Sequence, residues 1–213
     1  MGEGVADALK AIVEAKVGKQ AVGDGECFAL VDMALKSAGA KSAEDFGKVT
    51  LHSDYVWGHA VDLDRIRPGD VLQFRNHVVK VRTETDTGWE ERTYTRPHHT
   101  AVVVAVEGDG SVIVVEQKVK PDPKKVTRNV IARLAQGTET RSGTLEQNGV
   151  PRDAKITITV TGIVKAYRPV PQSKGASLFQ RNLGPTGATR QMLARYIPSE
   201  GGPKRRPGPI GTA

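Results

Sequence analysis

One cysteine, Cys27, is all the chain carries in 213 residues, so an intramolecular disulfide and a thiolate-rich metal site are both excluded. Long apolar runs are also missing. Stretches such as Thr100 to Val106 fall far short of the ~20 residues that a spanning helix needs, and no association with a membrane is expected. The N-terminus, with Glu3 and Asp7 ahead of a short amphipathic stretch, has no basic region, apolar block or small-residue cleavage site of a secretory signal. The chain is therefore expected to be cytoplasmic as synthesised, with export by a signal-independent route left open. Aromatic residues amount to only 5% and are not interleaved with the Lys and Arg that give a net charge of +7, so nucleic acid is not an expected partner. The same charge favours acidic partners.

What is present is a soluble, globular composition, 38% hydrophobic and 26% charged, with 23 Gly and 12 Pro that put much of the chain into turns. A chain of this length buries one ordinary core, with a tail or insertions to spare. Val5, Leu9, Ile12, Val13 and Val17 fall near helical spacing and predict a first amphipathic helix. After the turn Gly23-Asp24-Gly25, the residues Cys27, Val31, Ala34, Leu35 and Ala38 predict a second helix that stops at Gly39 and carries Cys27 in its first turn. Residues 40–66 read as a loop-rich connection, in which Tyr55 and Trp57 either line a groove or pack over the core.

The sheet then begins. Pro68-Gly69-Asp70 turns into a strand Val71 to Phe74, with Asp70 accepting backbone hydrogen bonds in the turn, and His77 to Val81 reads as a second run. Residues 82–97 form a charged excursion or hairpin. Thr100 to Val106 and Ser111 to Glu116, joined by Gly108-Asp109-Gly110, predict an antiparallel hairpin. A short strand from Val126 to Leu134 and a closing strand from Ile156 to Tyr167 follow. After Pro169 the pattern decays, leaving a short helix around Gln191 to Tyr196 and disorder from 198 as expectations. The class is α+β, N-terminal helices packed on an antiparallel β-sheet over residues 1–169, with a C-terminal extension over 170–213.

A helix-borne Cys followed by a hairpin whose first strand opens with His puts a nucleophile and a base on elements that can pack face to face. At a helix N-terminus the dipole and the free backbone N–H groups favour a thiolate, and the N–H of Cys27 can stabilise an oxyanion. Gln20, seven residues before Cys27, is a candidate for a second oxyanion donor if the turn folds back towards the thiol. In a tight hairpin the start of one strand lies beside the end of the other, so Glu116 is a neighbour of His99 and can orient its ring; the alternative is a strand-end carboxylate in solvent. His98 and His99 point to opposite faces, so one of them faces Cys27. For Cys27 itself the competing reading is a small buried hydrophobe. His52, His59, Asp62 and Asp64 lack ligand spacing, and neither a metal nor another cofactor is expected.

The blocks Gly25-Glu26-Cys27-Phe28-Ala29-Leu30-Val31, Arg67-Pro68-Gly69-Asp70-Val71-Leu72-Gln73-Phe74 and His98-His99-Thr100-Ala101-Val102-Val103 resemble the signature blocks of the CHAP and NlpC-type amidase/endopeptidase superfamily. A closer similarity is to the cysteine-proteinase-fold domain with a Gly-Asp-Gly-Glu-Cys type block, found in some bacterial proteins and at the end of certain fungal actin-patch proteins. The resemblance implies a papain-like core and a triad of Cys27, His99 and Glu116. Unlike cell-wall CHAP enzymes, the chain has no Asn shortly after the third triad residue, and Gln117 is the nearest substitute. Three functions fit these residues. One is a thiol hydrolase cleaving a peptide or isopeptide-like amide, with a peptidoglycan-like peptide as the family-weighted substrate. Another is a non-catalytic papain-fold binding or scaffold module, with acyl transfer to an amine as a third. Lys204-Arg205-Arg206 in the tail would suit an acidic protein partner.

Overall fold

Apolar spacing sets the first two elements, and the computed structural model, which describes residues 3–50, 53–147 and 149–173, shows both as helices. Helix α1 (Glu3–Glu14) buries Ala6, Leu9 and Val13. Helix α2 (Cys27–Ser37) buries Cys27, Leu30, Val31, Ala34 and Leu35. Its end is a Schellman close: Gly39 takes φ +70°, and the N–H groups of Ala40 and Gly39 reach back to the carbonyls of Leu35 and Lys36.

Among the described residues seven strands follow: β1 (His59–Val61), β2 (Val71–Thr85), β3 (Gly88–Val106), β4 (Val112–Gln117), β5 (Val126–Ile131), β6 (Gly137–Gln147) and β7 (Val150–Arg168). They form one antiparallel sheet in the order β1-β7-β2-β3-β4-β5, with β6 paired to β7. The fold is thus mixed α+β and dominated by its sheet. One face of the central strands packs through Val71, Val102, Val104 and Val115 against Leu9, Val13 and the buried stripe of α2. The other face, through Leu72, Ala101, Val103 and Val114, builds a second cluster with Ile131, Ile158 and Val160. Burial of each such side chain contributes roughly 1.5–3 kcal/mol, which concentrates stability where β2, β3 and β4 meet.

Asp70 fastens the turn into the sheet. It is fully buried, accepts the Arg67 N–H at 2.9 Å, and pairs with Arg168 Nε and Nη2 at 3.1 Å, tying the end of β7 to the start of β2. Past Arg168, Lys41 N–H donates to Val170 O and Gln172 N–H to Gly39 O, which pairs this segment with the turn after α2. The chain up to Gln172 forms one compact unit. The helix expected around Gln191 to Tyr196, the disorder expected from 198 and the Lys204-Arg205-Arg206 cluster lie outside the described residues.

The two runs expected at Val71 to Phe74 and His77 to Val81 are a single strand. A β-bulge separates them: the register of β2 against β7 shifts by one residue between Arg75 and Val78. Asn76 adopts φ 51°, and Gly162 lies so close that a Cβ there would sit 2.1 Å from the Asn76 carbonyl oxygen. The bulge reverses the alternation, so Leu72 and Phe74 before it, and Val79 after it, all join the same core cluster. A reader of the sequence sees this reversal as a break. Residues 82–97 extend β2 and β3 into one long hairpin, and β6, absent from the sequence reading, lengthens the same platform through β7.

His77 is a product of this bulge. Its ring is fully buried beside Phe74, at 5.1 Å between centroids, and neither nitrogen has a hydrogen-bond partner among the described residues. Burial, with the Arg96 charge adding to it against the opposing pull of Glu116, lowers the His77 pKa to about 4. A histidine depressed in the folded state binds a proton more readily when unfolded, so stability falls as pH drops from 6.5 through about 4. Replacing it with an apolar ring of similar shape removes both the orphaned polar atoms and this pH dependence. His77→Phe is expected to be neutral or stabilising by roughly 1–3 kcal/mol and to lose less stability than the wild type between pH 7 and pH 5 in urea unfolding. A variant more acid-sensitive than the wild type would contradict the assignment.

Candidate active site

The loop before Cys27 is shaped by backbone constraints. Gly23 and Gly25 take φ +64° and +84°, and Asp24 Oδ1 accepts the Glu26 N–H at 3.0 Å, closing an Asx turn. Glu26 is the N-cap of α2 without a side-chain cap bond of its own. The cap is held from outside by Gln117, fully buried on β4. Its Oε1 accepts the Val22 N–H at 2.8 Å, and its Nε2 donates to the carbonyls of Val22 at 3.0 Å and Glu26 at 2.5 Å. Cys27 is therefore the first residue of a helix whose entry is clamped at both ends of the preceding loop. Its own N–H, in the first turn, has no intrahelical acceptor.

The preceding residue on β4, Glu116, points the other way along the pleat and is fully buried. Four donors converge on its carboxylate. His99 Nε2–H reaches Oε2 at 2.8 Å, Arg96 reaches Oε2 through Nε at 2.9 Å and Oε1 through Nη2 at 2.5 Å, and Asn129 Nδ2 reaches Oε1 at 3.0 Å. That accounts for the acceptor sites of an ionised carboxylate. With Nε2 engaged, Nδ1 is the nitrogen of His99 left for Cys27, which interacts electrostatically with the ring.

Burial lowers the pKa of His99, but hydrogen bonding to Cys27 and Glu116 and the charges of both outweigh it and raise the value to about 9. For Glu116 burial works upward, yet hydrogen bonds from His99 and Arg96 and their charges bring it down to about 2. At neutral pH the site thus holds an imidazolium against a carboxylate, with Cys27 next to the ring. That arrangement can stabilise a thiolate, deliver a proton to a leaving group and take one from water.

A family model described as AIM3/BBC1 Cysteine proteinase-fold domain matches residues 1–177. The chain belongs to this family. No curated protein and no solved structure matches the chain. The family's cysteine-proteinase fold agrees with a helix-borne Cys set against an antiparallel sheet.

Within this AIM3/BBC1-type domain, the structure brings Cys27, His99 and Glu116 together. His98, on the opposite face, donates from Nε2 to the Ser53 carbonyl at 2.9 Å and packs on Tyr55. Trp57 is core, fully buried with its Nε1 donating to Gln73 Oε1 at 3.2 Å. Gln20 is exposed and its backbone pairs with Lys125. His52 lies outside the described residues, and among those described no cluster of three metal-ligating side chains occurs.

Arg96 and Asn129 are the members that sequence reasoning missed. In a regular strand Arg96 and His99, three residues apart, point to opposite faces. Here the disturbance opposite Asn76 lets both reach the same carboxylate. The only sequence signal was a basic residue next to Pro97, within a run that read as a charged excursion or hairpin. Arg96→Met leaves a buried carboxylate short of its counter-charge, and is expected to cost about 3–5 kcal/mol of stability in urea unfolding at pH 7. A change indistinguishable from zero would mean that Arg96 does not neutralise Glu116 in the folded protein.

Proposed function

We propose that the domain is a thiol hydrolase of amidase or endopeptidase type, similar in chemistry to the CHAP and NlpC-type enzymes, acting on a peptide or isopeptide-like amide bond. Cys27 Sγ, as thiolate, attacks the carbonyl carbon. His99, as imidazolium, gives its proton to the departing amine and then takes one from the water that hydrolyses the acyl-enzyme. Glu116 fixes the ring and stabilises its charge. The observation that carries this reading is the hydrogen bond between His99 Nε2 and the buried Glu116, which leaves the other ring nitrogen for the thiol. No cofactor enters the chemistry. A cell-wall peptide is the substrate class favoured by the sequence resemblance, and an amide in a folded protein partner is the alternative.

A second reading, a binding or scaffold module on the same fold, is favoured by one observation: Cys27 is only 7% exposed. A scaffold needs no reactive thiol. Alkylation by iodoacetamide separates the two. In the wild type the rate is expected to remain appreciable at pH 6, and His99→Ala to lower it at that pH at least about tenfold while changing it much less at pH 9. Inertness of the folded wild type, or identical pH profiles in both proteins, would replace the hydrolase with the scaffold.

A further inference from the structure

The reading of Cys27 as a nucleophile leaves the oxyanion of its tetrahedral intermediate with one evident donor, the Cys27 backbone N–H, where acyl-transfer sites use several. Tyr55 packs against the chain neighbours of both reactive residues. Its ring packs edge-on against Phe28, the residue after Cys27, at 4.9 Å between centroids, and against His98, the residue before His99, at 5.1 Å. Trp57 supports the ring from a third side at 5.7 Å. The phenol is thus wedged between the chain neighbours of both reactive residues. Its position is fixed by aromatic contacts to groups that are themselves anchored, Trp57 on Gln73 and His98 on the Ser53 carbonyl.

The hydroxyl at the end of this rigid ring is unspent. Tyr55 is only 8% exposed, yet among the described residues no group takes its hydroxyl in a hydrogen bond, and the oxygen is not one of the sealed, unsatisfied atoms. A tyrosine so deeply packed normally finds a partner for its O–H. Its hydroxyl oxygen interacts electrostatically with Cys27, Glu26 and Asp24, at the N-terminal end of α2 and in the loop before it, and with Arg75 on β2. Burial, followed by the Cys27 and Glu26 charges and against the pull of Arg75, raises the phenol above its ordinary value and keeps it a donor at neutral pH.

We propose that the Tyr55 hydroxyl is the second oxyanion donor of this site, acting with the Cys27 backbone N–H; the proposal rests on the reading of Cys27 as the nucleophile. As Sγ bonds to the carbonyl carbon, the π pair of the C=O moves onto oxygen, and Tyr55 donates a hydrogen bond to that oxygen while keeping its own proton. When the intermediate collapses the pair returns, the C=O re-forms and the bond to the leaving group breaks, an amine leaving with the proton of His99.

Two reagents on the full chain separate the possibilities. Acylation by p-nitrophenyl acetate passes through an oxyanion, with release of p-nitrophenolate; alkylation by iodoacetamide displaces iodide and forms none. Tyr55→Phe keeps the ring and its contacts and removes only the O–H. It is expected to slow acylation of Cys27 by about 10²–10³-fold and to leave the rate and pH profile of alkylation unchanged. If the wild type reacts with both reagents and the variant is acylated at the wild-type rate, Tyr55 is not an oxyanion donor and the nucleophile stands. A parallel fall in both rates also overturns the proposal, because it marks Tyr55 as packing that positions the thiol. If the folded wild type reacts with neither reagent, the nucleophile reading fails and takes this one with it.

Discussion

The four hydrogen bonds that converge on Glu116 are the constraint around which the site is organised. A carboxylate with no solvent contact survives ionised only when its lone pairs are filled and its charge is met. Arg96 meets the charge, Asn129 and Arg96 fill one oxygen, and Arg96 and His99 fill the other. Because Arg96 already balances Glu116, the proton on His99 adds a net positive charge beside Cys27. That charge is what a thiolate would neutralise. The same Arg96 charge helps to keep the neighbouring His77 neutral, so the buried polar layer contains one protonated and one unprotonated imidazole.

Two consecutive residues at the end of β4 divide the labour. Glu116 turns to one face and holds the base; Gln117 turns to the other and clamps the loop that delivers the nucleophile. Any shift of β4 along β3 would move both together and preserve their relation. The hairpin pairing of Val102 with Val115 and Val103 with Val114 sets that register, and the valines on both faces of the pair are fully buried. Core packing and site geometry are therefore one problem, solved by the same short strand.

The sequence was most informative where a local rule had no competitor. Gly39 ends α2 because its αL conformation closes a Schellman motif, and the β3–β4 turn brings His99 near Glu116 by the antiparallel logic of a tight hairpin. His98 and His99 diverge because adjacent strand residues must. The rule failed at the bulge, where alternation reverses: there one strand read as two, Arg96 read as part of a charged excursion or hairpin, and His77 gave no hint of full burial. Strand β6 was invisible for a different reason. Its segment Gly137–Gln147 is rich in Gly, Thr and charged residues, and it is held by the β7 ladder and not by an apolar face of its own. Tyr55 remained ambiguous between groove and core because its position depends on rings brought together from three separate segments.

The central claim is that one buried imidazolium links Cys27 to Glu116, and its most direct test is the titration of the His99 ring nitrogens by nuclear magnetic resonance, with His99→Asn to assign the signal. The account predicts that His99 stays protonated until about pH 9 in the wild type, and that Cys27→Ala or Glu116→Gln each lowers this value, since both partners contribute to it. A ring that titrates near the ordinary 6.5, or one indifferent to both substitutions, would contradict it.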